Sequence, residues 1–339
     1  MSAAHSQERT KMYFIGVSTK QSSIMKVFPL WMNELGRSEV LLEGVDLKLN
    51  DDPANYRRAV TQIKQDPKCL GALVTSHKIN LLKAARDLFD YLDPLAQLSG
   101  EVSSISKRQG KVQGHAKDPI SGGLSLDTLL GANYFARTGG YVLCLGAGGS
   151  TTALVLHFSR KPNSGDRPRR MVVVNRSQQR IEELDHMVRS INGLGIEFEY
   201  HCHQDSRCND QLMQQLPPGS VVINATGMGK DLPGSPITDA GLFPVNGVAW
   251  ELNYRGELQF LEQALAQRVE RNLVVEDGWV YFLHGWTQVI AQALDMRLDD
   301  ATFNRLAAIA EVIRPAAREL KAREAIIRKL NSEDEQRLS

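Results

Sequence analysis

The chain has 339 residues, 42% hydrophobic and 23% charged, and 40 basic side chains nearly balance 39 acidic ones for a net charge of +1. That length and mix suit a soluble globular protein of about two domains, and near-neutrality excludes the long-range pull that draws nucleic-acid and acidic-membrane binders to their partners. No apolar run approaches the ~20 residues of a membrane span. Four cysteines are too few for a disulfide scaffold, which points to a reducing compartment. The polar opening MSAAHSQERTKMYFIG lacks the apolar centre of a secretory leader, so the expected location is the cytoplasm.

Met12–Gly16 reads as a first strand. The spacing of Met25, Phe28, Leu30 and Met32 predicts a helix over Ser22–Gly36, stopped by its glycine. Glu39–Leu47 is a second strand, Asn55–Lys68 a helix, Gly71–Thr75 a third strand and Ile79–Tyr91 a helix again. Two short strands flank the turn at Gly110 within Ser103–His115. A second alternation begins at Gly140: the strand YVLCLG, the glycine turn and helix AGGSTTALVLHFSRK, the strand RMVVVNR, the helix SQQRIEELDHMVRSI and the strand EFEYHC. SVVINAT and GVAWELNY continue the series, with a helix over Leu258–Arg268. From Trp279 the pattern turns helical through 280–296 and 301–313; Pro315 interrupts it, and a charged last helix is expected over 316–330. Such βα alternation predicts an α/β protein with mostly parallel sheets. The late helices lack a sheet of their own, so they are expected to pack back on the first domain. The division is a first α/β domain over 11–118, joined by the returning helices of 278–330, and a second α/β domain over 119–277.

The chemistry gathers at strand ends. In GALVTSHKIN a buried strand runs into Thr75, Ser76, His77 and Lys78, and in open α/β sheets ligands sit at the carboxyl edge. From the residues alone Lys78 is either a surface charge or an acid/base group. Asp118 closes GHAKD after the second short strand; a lysine beside a carboxylate in a cleft is able to exchange a proton with a substrate hydroxyl.

The turn Gly146-Ala147-Gly148-Gly149-Ser150 lies between a strand and a helix, the context in which a glycine fingerprint means dinucleotide binding. Gly146 allows the tight turn, Gly148 lets the backbone approach a pyrophosphate, and the helix supplies N–H donors. The following strand ends in Asn175, Arg176, Ser177 and Arg180 with no acid, which favours NADP over NAD because guanidinium matches a 2′-phosphate. Arg180 is equally readable as a solvated helix residue. VVINATGMG ends a further strand in Thr226, Gly227 and Met228, either along the nicotinamide ribose or as a plain turn. His201, Cys202, His203 and Cys208 have no second cluster to complete a zinc pattern, so no metal is expected.

These motifs resemble the shikimate/quinate dehydrogenase family, in order, from about Met12 to Met296. The resemblance implies a small substrate domain, a Rossmann NADP domain, and a lysine–aspartate pair at Lys78 and Asp118 that handles the proton of the oxidised hydroxyl. The substrate shell departs from the family pattern. VTSHK is one residue short of Val-Thr-any-Pro-any-Lys. Ser22 matches the first serine of the carboxylate motif, but Ile24 and Met25 replace its second serine and its proline, leaving Ser23 to shift in. Ser103 stands for an asparagine, Ala116 and Lys117 for an Asn-Thr pair, and His284 for a glutamine. Ser22, Ser23, Thr75, Ser103, Lys117, Tyr254 and His284 are the expected substrate contacts. Shikimate, quinate or a related cyclic hydroxy acid is the implied substrate. A dehydrogenase of another small molecule and a nucleotide-binding relative without catalysis are the alternatives; a homodimer is left open.

Overall fold

The computed structural model describes residues 9–230 and 232–314. The first unit opens with β1 (Thr10–Gly16), α1 (Ile24–Glu34), β2 (Val40–Asp46), α2 (Pro53–Gln65), β3 (Cys69–Val74) and α3 (Lys78–Ala85). It continues with β4 (Tyr91–Leu92), α4 (Pro94–Ser99), β5 (Ser104–Arg108) and β6 (Lys111–His115). The strands form one mixed sheet in the order β2-β1-β3-β5-β6-β4. Because β5 runs antiparallel to both β3 and β6, those two strands run the same way and end at one edge.

The helix expected over Ile79–Tyr91 stops early. After α3 the chain makes a 3-10 turn and joins the sheet as β4. Asp90 and Asp93 capture it there: Asp90 accepts from Val112 N–H at 2.8 Å, and Asp93 caps α4 by accepting from Ala96 N–H at 2.7 Å. A local pattern of Leu and Tyr does not show this long-range capture.

Next come α5 (Asp118–Leu130), α6 (Tyr134–Thr138), β7 (Val142–Leu145), α7 (Gly149–Ser159), β8 (Arg170–Asn175), α8 (Gln178–Ser190) and β9 (Glu197–Cys202). They are followed by α9 (Ser206–Gln214), β10 (Val221–Asn224), β11 (Val248–Glu251), α10 (Gln259–Ala266) and β12 (Val274–Glu276). The second sheet is parallel throughout, in the order β12-β11-β10-β7-β8-β9. The order reverses between β10 and β7, the switch point at which such sheets open a crevice. The inner strands β7 and β10 are fully buried, as expected of a sheet covered on both faces.

α11 (Trp279–Leu294) and α12 (Asp300–Glu311) return to the first sheet. Trp279, Trp286, Val289 and Leu306 share one apolar cluster with Met12, Phe14, Ile24 and Trp31. Trp31 Nε1 donates to the Leu306 carbonyl at 2.7 Å, and Arg108 donates to the Gln292 carbonyl at 2.8 Å. The charged last helix expected over 316–330 lies outside the described residues. Among those residues no helix is long and apolar enough to cross a membrane.

Candidate active site

A cleft of ≈ 480 Å³ lies between the strand ends of the two sheets. Lys78 is the first residue of α3, just beyond β3, and Asp118 the first residue of α5, just beyond β6. Both strands end at the same edge, so Lys78 Nζ and Asp118 Oδ2 form an ion pair although 40 positions separate them. Burial alone pushes the Lys78 ammonium down, but the carboxylate of Asp118, with Tyr281 and Glu101 behind it, raises it further, and the net direction is upward. Proline at the second position of α5 costs no helical hydrogen bond there and fixes the helix start. That start holds the Asp118 carboxylate where the helix dipole favours it.

Tyr281 on α11 donates to Asp118 Oδ2 at 3.3 Å and lines the same cleft. Burial, then Asp118, raises its hydroxyl well above the ordinary range, so it stays a donor. Sequence reasoning missed this residue. The signal was present as spacing: Gly278, Tyr281, Phe282, Gly285, Trp286 and Val289 form the stripe of α11 that faces the cleft. His284 falls off that stripe. Its ring stacks on Phe303 with centroids 4.0 Å apart and planes 1° from parallel. Burial pushes its imidazole down to about 4, so it is neutral and faces α12 rather than the cleft.

Thr75, Ser103 and Tyr254 line the cleft. Ser22 reaches it through Tyr254, hydroxyl to hydroxyl at 3.2 Å, while Ser23 sits at the start of α1. The Ser103 hydroxyl accepts from Lys117 N–H at 2.7 Å, which ties the end of β6 to the residues before β5. Lys117 lies outside the cleft lining, and burial, offset by Asp93, lowers its amine. Ile24 is completely buried in the core of α1 and presents no polar group.

The glycine turn is built for close approach. Gly146 adopts φ +118°, and a Cβ there would stand 2.6 Å from the Ala225 carbonyl oxygen, so β7 and β10 end back to back only with glycine at that position. Around Gly148 a Cβ would meet nothing within 4 Å; its backbone faces open space at the amino end of α7. Ala147 is buried beneath the turn, and Thr151 Oγ1 donates to the Gly146 carbonyl at 2.6 Å. Gly148, Gly149, Ser150, Thr226 and Gly227 line the cleft. The Asn224 side chain holds the second turn: it donates to Glu251 at 2.6 Å and accepts from the Thr226 hydroxyl at 2.7 Å. Met228 N–H donates to Thr226 Oγ1 at 3.1 Å. Glu251 is raised by burial to about 7.

After β8, Asn175 donates to the Ser177 carbonyl at 3.2 Å and Ser177 caps α8. Arg180 lines the cleft, paired with Glu183 at 2.9 Å. Arg176 is exposed and, among the described residues, has no hydrogen bond or ion pair. No group of three or more His, Cys, Asp or Glu among the described residues is arranged to hold a metal.

A curated shikimate dehydrogenase (NADP(+)) from Symbiobacterium thermophilum is 27% identical over 236 residues, spanning 68% of this chain and 72% of the relative. The chain is homologous to shikimate dehydrogenases of the NADP(+) type. Shikimate dehydrogenase from Aquifex aeolicus superposes with a TM-score of 0.67 over 90% of this chain and 99% of its own, at 19% identity. A ligand-free 5-ketofructose reductase of Gluconobacter sp. superposes with a TM-score of 0.65 over 91% and 99%, also at 19% identity. No family model matches the chain. The fold shared with shikimate dehydrogenase extends over nine-tenths of this chain.

Proposed function

We propose that the chain is an NADP-dependent oxidoreductase of the shikimate dehydrogenase type, which interconverts a ring hydroxyl and ketone of shikimate, quinate or a related cyclic hydroxy acid (3-dehydroshikimate and NADPH giving shikimate and NADP). The Lys78–Asp118 pair, in the wall of the cleft that the glycine turn also lines, carries this reading. In this reading residues 11–118 with the returning helices hold substrate and 119–277 hold the nucleotide. NADP fits the residues present: Gly146, Ala147, Gly148, Gly149 and Ser150 take the pyrophosphate at the start of α7, and Arg176, Arg180, Asn175 and Ser177 the 2′-phosphate. Thr226, Gly227 and Met228 flank the nicotinamide end. When bound, the nicotinamide accepts or donates the hydride. Lys78 gives a proton to the ketone oxygen or takes one from the hydroxyl, Asp118 keeps the amine charged and oriented, and Tyr281 donates to the same carboxylate oxygen, Oδ2.

The substrate shell offers few polar contacts. Ile24, Ala116 and the turned-away His284 offer no hydrogen bond, and the Ser103 hydroxyl is already engaged. Losing a designed partner weakens discrimination strongly, so shikimate is expected to bind more weakly here than where the full motif is present. The likeness to a ketofructose reductase favours a second reading, reduction of a sugar-derived polyhydroxy ketone that carries no carboxylate. Following the near-ultraviolet absorbance of NADPH with 3-dehydroshikimate, 3-dehydroquinate and a diketohexose separates the two. Turnover of none of these, with NADP still bound, rejects the oxidoreductase reading in favour of a nucleotide-binding protein.

The cofactor preference has its own test. Arg176 is exposed and unpaired, whereas Arg180 is shared with Glu183, so Arg176 is the guanidinium available to a 2′-phosphate. Arg176→Ala is expected to raise the Michaelis constant for NADP about tenfold or more, the value of a charge-assisted contact, and to leave that for NAD unchanged. Equal affinity of the unaltered protein for NADP and NAD would reject the assignment.

A further inference from the structure

Glu101 lies between α4 and β5, in the wall of the cleft. It is 1% exposed, yet neither carboxyl oxygen has a hydrogen-bond partner among the described residues. A buried carboxyl left unpartnered is strongly disfavoured, so a group that satisfies it is expected from the ligand. Its location names that group. Glu101 Oε2 stands 2.6 Å from the position of a Cβ on Gly149, against the first residue of the 11-residue helix α7. The free N–H groups at such a helix start attract anions, and in the reading above they receive the pyrophosphate. An ionised carboxylate there repels a phosphate oxygen; a neutral carboxylic acid donates to it.

The neighbours favour the neutral form. Asp118 on α5 faces Glu101 as a like charge, and Tyr281 on α11 is engaged with Asp118. Lys78 on α3 is the facing cation, but it is already paired with Asp118. The turn before α7 contributes no charged side chain, α4 carries no charged residue, and the other cations of the lining, Arg180 and Lys230, follow β8 and β10 of the second sheet and are not among the charges that shift Glu101. Burial first, then Asp118, raise the Glu101 carboxyl to about 8, with Lys78 opposing.

We propose that Glu101 contacts the bound dinucleotide as a neutral acid and donates its proton to a phosphate oxygen, so that nucleotide binding takes up a proton from solvent once that acid is ionised in the free protein. This rests on the NADP reading and adds to it a residue that the glycine motif does not contain. The proton balance is simple: one proton joins the Glu101 carboxylate, one nucleotide binds, and no bond to either is broken.

Isothermal titration of the whole chain with NADP between about pH 7 and 9.5 tests it, above the range in which a phosphate monoester titrates (second pKa ≈ 6). Affinity is expected to be flat below about pH 8 and to fall toward ~10-fold per pH unit above it. The binding heat in buffers of different ionisation enthalpy should then show uptake approaching one proton. Glu101→Gln, a neutral side chain of the same shape, should remove both the pH slope and the proton uptake, and near pH 9 it should bind NADP up to ~10-fold more tightly than the unaltered chain. Affinity independent of pH in the unaltered chain, or a slope that survives in Glu101→Gln, overturns the proposal and leaves the NADP reading standing. Failure of both proteins to bind NADP at any pH overturns the cofactor reading as well.

Discussion

Lys78→Ala is expected to lower turnover on the best ring-acid substrate by about 10²–10⁴-fold, the usual worth of a positioned acid/base group, while changing NADP affinity little. The amine is paired with Asp118 at the strand edge, and the glycine turn that would hold phosphate is on the other sheet. Loss of the amine therefore affects the proton step and spares the nucleotide. Asp118→Asn is expected to slow turnover too, because it removes the charge that holds the amine protonated and oriented; Tyr281 donates to the same carboxylate, so Tyr281→Phe should give a smaller loss in the same direction. Steady-state rates, with NADP affinity measured separately, check all three. Near-normal turnover in Lys78→Ala would mean that the pair is a structural ion pair and that the proton moves elsewhere.

Trp31→Ala is expected to destabilise the protein by about 3–5 kcal/mol, the range for removing a large buried aromatic side chain. Trp31 is fully buried in the cluster shared by α1, β1 and the returning helices, and its indole N–H satisfies the Leu306 carbonyl of α12 at 2.7 Å. The substitution leaves a cavity and also removes the indole donor from that carbonyl. Trp31→Phe keeps most of the volume and should cost less. Urea unfolding followed by circular dichroism gives the difference; a loss below about 1 kcal/mol would mean that the surrounding side chains collapse into the space.

The parallel strands were legible because each is a short apolar run, and β3, β7, β8 and β10 lie where those runs predict. The motifs at their ends were legible for the same reason: a strand that stops at glycine or lysine marks its own carboxyl edge. α5 was not legible. It opens on Asp118 and Pro119 and carries Ser121, Gly122, Gly123 and Ser125 on buried positions, which erases the apolar periodicity of an ordinary helix. The small residues are needed because α5 packs closely between α7 and α11; a Cβ on Gly123 would collide with the His157 ring. His284 lies one position before Gly285, which does line the cleft, and on a helix one position is a rotation of ~100°, enough to turn a side chain from the cleft to α12. Glu101 was passed over because GEVSS was read through Ser103. In an extended segment residues two apart share a side, so a carboxylate two residues before a cleft serine was the available clue.

The clasp of α1 by α12 also sets an order of assembly during synthesis. The first sheet is translated first, yet Met12, Phe14 and Trp31 find their partners Trp286, Val289 and Leu306 only after the second sheet has been made. Chains generally fold as they emerge, amino-terminal parts first. Here the earlier unit must leave the ribosome with an open apolar face and wait, while the later one, whose cluster draws only on residues 126–250 among its buried members, has all its partners sooner. A chain truncated before Trp279 and released is therefore expected to display a protease-resistant second sheet and a protease-sensitive first one, and the full chain to protect both.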